Sequence, residues 1–246
     1  MTTAFIAGAT GYTGRHVTER LAREGVQTFA HVRPDSSAIG SWTARFSAAG
    51  ASVDATPWNV DDIARTMARL RPELIFALLG TTRARAARDA RATGAAAGYD
   101  AVDYGLSAML LRAARSAGIR PRFVYLSSIG ARESSRNPYL AVRGRFEREL
   151  KESGLPYLIV QPSFISGSDR DERRVAERAA SIVTDALLRV AAIAGARTLH
   201  DRWATLTGDA LAAGMVRLAL DVPEGRVIAD AADVRRAARI TGAGGA

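Results

Sequence analysis

The stretch Phe5-Ile6-Ala7-Gly8-Ala9-Thr10-Gly11-Tyr12-Thr13-Gly14-Arg15 decides how the rest of the chain is read. Its apolar head predicts a buried strand, and helical periodicity begins at about Tyr12. Between them the glycines stand at Gly8-x-x-Gly11-x-x-Gly14. Glycine at such a junction permits a tight turn and lets another group approach the backbone without meeting a Cβ. The helix that follows presents unpaired N–H groups and a positive dipole end at that turn, which suits a diphosphate. A glycine turn alone is a weak signal, but placement between a strand and a helix, at the head of an alternating α/β chain, strengthens it. No Gly-Lys-Ser/Thr follows, which disfavours the phosphate loop of nucleoside triphosphatases. Gly8, Thr10, Gly11, Tyr12, Thr13, Gly14 and Arg15 are therefore expected to line a dinucleotide site.

Working outward, the apolar runs Thr28–Val32, Ser52–Ala55 (weaker), Leu74–Leu79, Phe123–Leu126 and Tyr157–Val160 predict five more strands. Helical patterns separate them. One runs from Tyr12 to Glu24 and stops at Gly25; Ile63, Met67 and Leu70 share a face. Val102, Leu106, Met109, Leu110 and Ala113 form a stripe ending at Gly118. Asn137-Pro138 reads as a capped helix start that Gly154 closes. This rhythm predicts a doubly wound parallel sheet of Rossmann type with a small C-terminal substrate region. Residues 1–163 form the nucleotide-binding domain, 164–206 a substrate lobe or dimerisation segment, and 207–246 a helix and strand returning to the main body. The segment 164–205 carries a long amphipathic helix around 175–193, fitted to packing or oligomerisation, which makes a homodimer or protein partner an open expectation. The structure of Arg83–Gly98 is left open, and the tail Gly242–Ala246 is expected to be disordered.

With 246 residues and 48% apolar side chains the chain is long enough for a substantial core. No apolar run of about 18 residues offers a membrane span. The N-terminus lacks the basic start and cleavage site of a secretory signal, so a cytoplasmic location is expected. There is no cysteine, and the 3 histidines do not fall at metal-ligand spacing, so no metal site is expected. The formal charge of +9 is carried almost wholly by arginine, Lys151 being the one lysine. These arginines are scattered, often beside acids as in Arg170-Asp171-Glu172-Arg173, which weighs against nucleic acid as a main partner. A small anionic molecule fits better.

The residue closing the second strand commonly selects the cofactor, an acid for the ribose hydroxyls of NAD and an arginine for the extra phosphate of NADP. Here Val32-Arg33-Pro34 puts an arginine there, and a guanidinium fork matches phosphate geometry. NADP(H) is the expected cofactor, held at that phosphate by Arg33 with Arg15.

In order along the chain, Gly8–Gly14, Val32-Arg33-Pro34, Leu79-Gly80-Thr81-Thr82, Val102-Asp103-Tyr104, Leu126-Ser127-Ser128-Ile129-Gly130-Ala131 and Tyr139-Leu140-Ala141-Val142-Arg143-Gly144 resemble the atypical short-chain dehydrogenases. The likeness is to the Tat-interacting-protein-like and NmrA-like branches, good over about residues 3–165 and loose beyond. It implies a serine after the fifth strand, a tyrosine on the next helix and a lysine four positions on. Ser127 or Ser128 matches the first and Tyr139 the second, while position 143 is Arg instead of Lys. Such a trio reduces a carbonyl, or runs the reverse: a nicotinamide delivers hydride while a phenol supplies the proton and a fixed cation stabilises the phenolate. Positions 139 and 143 share a helical face. Arginine can supply the cation and donate to the nicotinamide ribose, but does not readily join a proton relay. Three readings stay open: a reductase, a nicotinamide-binding regulatory protein with little turnover, and chemistry outside this trio. By the same resemblance Leu79, Gly80 and Thr81 are expected at the cofactor, and Asn59 and Val60 beside the adenine. Pro162, Ser163 and Phe164, following the sixth strand, are expected at the nicotinamide. Asp103 is expected to face the sheet or the site, His31 to be a core or surface histidine, and His200 and Trp203 to be packing residues.

Overall fold

A computed structural model of the chain describes residues 1–80, 99–163, 165–166, 206–221 and 225–242. Its elements run β1 (Thr3–Ala7), α1 (Tyr12–Arg23), β2 (Gln27–His31), α2 (Ile39–Ala48), β3 (Ser52–Asp54), α3 (Val60–Leu70) and β4 (Leu74–Ala77). A π-helical turn (Tyr99–Gly105) leads into α4 (Leu106–Ser116), followed by β5 (Arg122–Leu126), α5 (Pro138–Glu152) and β6 (Tyr157–Gln161). Two short strands, β7 (Ile165–Ser166) and β8 (Leu206–Thr207), precede α6 (Gly208–Asp221), β9 (Arg226–Asp230) and α7 (Ala231–Gly242).

Seven strands form one sheet in the order β3-β2-β1-β4-β5-β6-β9, every neighbouring pair parallel. Parallel strands buried on both faces need apolar residues at odd and even positions alike, which is why Phe5-Ile6-Ala7 and Leu74–Ala77 show no polar alternation. Ala4, Ile6, Phe76, Val124, Leu158 and Val160 point to one layer, where Val17 and Leu21 of α1, Leu211 and Met215 of α6 and Val234 of α7 cover them. Phe5, Ile75, Phe123, Tyr125 and Ile159 point to the other, covered by Met67 of α3, Leu110 and Ala114 of α4 and Phe146 and Leu150 of α5. Each such side chain taken out of water contributes about 1.5–3 kcal/mol, less in practice because the unfolded chain is itself partly collapsed. Chain order reverses direction across the sheet between β1 and β4, so a crevice opens at the strand C-termini there.

Several expectations are corrected. The stripe starting at Val102 is not one α-helix: Val102 belongs to the π-helical turn and regular α-helix starts at Leu106. Helix α2 is an addition to the expected elements: Ile39, Trp42 and Phe46 stand at i, i+3 and i+7 on its core side, but only Phe46 is fully buried. Helix α7 was missed for its Arg/Ala-rich sequence, and Gly242, expected at the head of a disordered tail, closes it. This last helix packs on α6 at backbone distance, since a Cβ at Gly214 would stand 2.2 Å from the Val234 carbonyl oxygen. His31 is a core histidine: it is buried, its Nε2 donates to the Thr56 carbonyl at 2.7 Å, and its ring meets Trp58 edge-on at 4.7 Å. Among the described residues no helix is long and apolar enough to cross a membrane. The 83–98 stretch, the amphipathic segment 175–193, His200 and Trp203 lie outside the described residues.

Candidate functional site

The turn after β1 is built around missing Cβ atoms. Gly8 has φ +81°, and a Cβ there would fall 2.5 Å from the Leu78 carbonyl oxygen. A Cβ on Gly14 would fall 2.0 Å from the Gly8 carbonyl oxygen, so strand end and helix start touch through bare backbone. Gly11 donates its N–H back to that same oxygen at 3.0 Å. It is also the N-cap of α1, which has neither a side-chain cap nor an acidic residue in its first turn. The helix start thus carries no acidic residue of its own, and a diphosphate fits this arrangement. Thr10 and Gly11 are exposed, while Thr13 is buried beneath them. The Tyr12 ring turns away to the C-terminal segment. Its Oη accepts from Gly208 N at 3.3 Å, and a Cβ on Gly208 would strike its Cε1 at 2.5 Å. Arg15 stacks its guanidinium 5.2 Å from the Tyr12 ring centroid.

Arg33 lies just past β2, exposed, 3.4 Å from the Asp35 carboxylate. Asn59 caps α3: its Oδ1 accepts from Asp62 N at 2.8 Å and its Nδ2 donates to the Asp62 carboxylate. Its side chain is thereby engaged within the helix start, and Val60 is the first residue of that helix.

At the ends of β4 and β5 the sequence-expected Tyr139 and Arg143 come together on α5. Asn137 caps this helix by accepting from Tyr139 N at 3.0 Å, and Pro138 occupies the first turn. The Arg143 guanidinium sits 4.7 Å from the Tyr139 ring centroid, whose other neighbour is the Tyr99 ring, edge-on at 5.7 Å. Arg143 is a buried tie. Its Nη1 donates to the Leu126 carbonyl, and its Nη2 donates to the Leu79 carbonyl at 3.3 Å and to Asp103 Oδ1 at 2.8 Å. The two charged side chains are 5% and 0% exposed, so the pair is shielded from solvent. Gly80 lies against it, a Cβ there falling 3.1 Å from Arg143 Nη2. Burial presses the guanidinium toward losing its proton, but Tyr139, Tyr125 and Asp103 outweigh this and hold its pKa above the ordinary arginine value. Burial likewise lifts the Tyr125 phenol above the ordinary tyrosine value, against the pull of Arg143. Asp103, for which a site-facing role and a structural one were both open, is thus paired within the fold.

The adjacent serines differ. Ser127 is buried and donates to Glu147 Oε1 at 2.6 Å, whereas Ser128 is half-buried. Glu147, which sequence reasoning missed, also accepts from Gln161 Nε2 at 2.8 Å and Lys151 Nζ at 3.1 Å. The signal was present as a polar residue every fourth position, Tyr139, Arg143, Glu147 and Lys151, along one face of α5. Past β6, Pro162 accepts from Ile129 N at 3.0 Å and Ser163 is half-buried. Thr81 and Phe164 lie outside the described residues.

Comparison with known proteins agrees with this architecture. A family model described as NAD(P)H-binding matches residues 8–196. The mitochondrial protein fmp52-1 of Aspergillus terreus is 30% identical over 240 residues, covering 92% of this chain and 92% of its own. The mitochondrial protein fmp52 of Aspergillus fumigatus is 32% identical over 240 residues, with the same 92% coverage of both. Among solved structures, the UDP-Glc/GlcNAc 4-epimerase of Campylobacter jejuni superposes with a TM-score of 0.65 at 13% identity, over 96% of this chain and 82% of its own. The UDP-glucose 4-epimerase of Brucella ovis, in complex with NAD, gives 0.63 at 15% identity, over 95% and 81%. At those identities the likeness is one of fold. The fungal relatives overturn the expected cytoplasmic location: their names place them in the mitochondrion, and the bare N-terminus that suggested the cytoplasm is no guide to compartment.

Proposed function

The chain belongs to the NAD(P)H-binding family, and from that premise we propose that it is an NADP(H)-dependent oxidoreductase reducing a carbonyl or related group of a small molecule. The observation that carries this reading is Tyr139 held one helical turn from a buried, permanently charged Arg143, with the guanidinium 4.7 Å from the phenol ring. Bound NADPH supplies the hydride. Tyr139 is the group that gives the substrate oxygen its proton, with the Arg143 cation beside its ring. Ser128 is the serine whose hydroxyl orients that oxygen, because Ser127 is engaged with Glu147. The N-terminal turn of α1 holds the diphosphate at the glycine turn, and Arg33 meets the 2′-phosphate with its exposed fork.

A regulatory reading draws on one specific observation: both terminal nitrogens of Arg143 already donate within the fold, Nη1 to Leu126 and Nη2 to Leu79 and Asp103, so it is less free than a lysine to hold the nicotinamide ribose. One assay separates the two. NADPH oxidation is followed at saturating cofactor against a panel of aldehydes, ketones and quinones. The oxidoreductase reading expects turnover that falls about 100-fold or more in Tyr139→Phe. Tight NADPH binding with no turnover on any carbonyl supports the regulator instead.

A further inference from the structure

We infer that Glu147 is a positioning residue that locks together the two strand-end segments on which the nicotinamide half of the cofactor rests, and so leaves Ser128 facing substrate. The inference rests on the functional reading above.

Glu147 is buried, and a carboxylate out of water must be matched by donors. Among the described residues it has three, from three different places. Ser127 follows β5 and Gln161 ends β6, both on Oε1, while Lys151 closes Oε2 from the next turn of α5. One carboxylate thus bridges a helix and two neighbouring strand ends. The backbone continues the same junction: Ser127 N donates to the Val160 carbonyl at 2.7 Å and Ile129 N to that of Pro162 at 3.0 Å. Ser127-Ser128-Ile129 and Gln161-Pro162-Ser163 therefore run side by side past the sheet edge as one unit. Successive side chains of such extended backbone point to opposite sides. Holding Ser127 on Glu147 turns Ser128 the other way. Bonds to an ionised acceptor are about twice as strong as neutral ones, so the charge is what makes the lock firm. A glutamine would keep the volume but would present an amide donor toward the Gln161 or Lys151 donors.

No member of this lock lies on β1 or α1, where the diphosphate and adenine half are expected. The lock is then felt by the nicotinamide end alone, and binding measurements can separate the two. Wild type, Glu147→Gln and Ser127→Ala are titrated by calorimetry with NADPH and with 2′-phospho-ADP-ribose, which lacks the nicotinamide. Both variants are expected to bind NADPH about tenfold more weakly, while the half-molecule stays within about twofold of wild type. Equal losses for the two molecules, or none for either, overturn the inference. Wild type binding neither molecule overturns the functional reading beneath it.

A second measurement needs no variant. Lys151 is the one lysine of the chain, so reductive methylation with 13C-formaldehyde gives one side-chain signal beside that of the terminal amine. NADPH is expected to shift that signal and the half-molecule to leave it unmoved. A signal unmoved at saturating NADPH refutes the lock.

Discussion

At Gly14 there is no room for a single carbon: the would-be Cβ meets the backbone carbonyl of Gly8, which cannot swing aside. Gly14→Ala is expected to cost about 2 kcal/mol or more, lowering Tm by roughly 4–8 °C, and to abolish dinucleotide binding. Thermal denaturation and a fluorescence titration with NADPH check both. Arg33 makes the opposite kind of prediction, since it is exposed and holds no structure in place. Arg33→Asp is expected to weaken NADPH binding more than about tenfold and NADH binding little, with Tm unchanged; equal NADPH affinity in wild type and variant would remove Arg33 from the 2′-phosphate. Why were these residues readable? The need for a bare backbone and the arginine at a strand end are local properties of a few consecutive residues. The contact of Tyr12 with Gly208, 196 positions away, was beyond any local reading.

Among the elements, α5 was legible and the π-helical turn was not. The Asn137-Pro138 cap announces α5, and Asn137→Ala is expected to cost about 1 kcal/mol by denaturant titration. The π-helical turn carries apolar residues that also suit an α-helix, so periodicity alone could not tell them apart. What distinguishes it is its docking on α5. Tyr99 meets Tyr139, Asp100 lies 3.3 Å from Arg145, Asp103 pairs with Arg143, and Tyr104 donates to Glu149 at 2.8 Å. Asp103→Ala leaves the Arg143 charge buried and unmatched, with an expected loss of about 3–5 kcal/mol. Asp103→Asn, which keeps an acceptor, is expected to lose less, and chemical denaturation of the two variants side by side tests the order.

For the molecule as a whole, sheet type and the early strand sequence followed from alternation of apolar runs with helices. The last strand's place beside β6 did not, since nothing local to Arg226–Asp230 names its partner. Stability also carries a pH signature. Burial lowers the pKa of His31 below its ordinary 6.5, against the opposing pull of the Thr56 carbonyl and Asp54. The unfolded chain then takes up a proton that the folded one refuses, so stability is full above about pH 6.5 and declines as pH falls from there toward the folded pKa. Tm measured from pH 8 to 5 is expected to drop across that window, and His31→Gln is expected to flatten the drop; a wild-type curve no steeper than the variant's would show that His31 titrates alike in both states.

The pairing of β9 with β6 bears on how the protein is made. Every other strand of the large sheet is synthesised before Tyr157–Gln161 is complete, but the neighbour that covers the outer edge of this strand is translated some 65 residues later. Until then a nascent chain displays at the sheet's edge the amides and carbonyls of β6, an almost wholly buried strand, where the finished sheet ends on the more exposed β9. Premature termination before residue 226 should therefore yield insoluble product in the cell, and slow translation of the final segment should favour self-association on the ribosome over release of soluble protein.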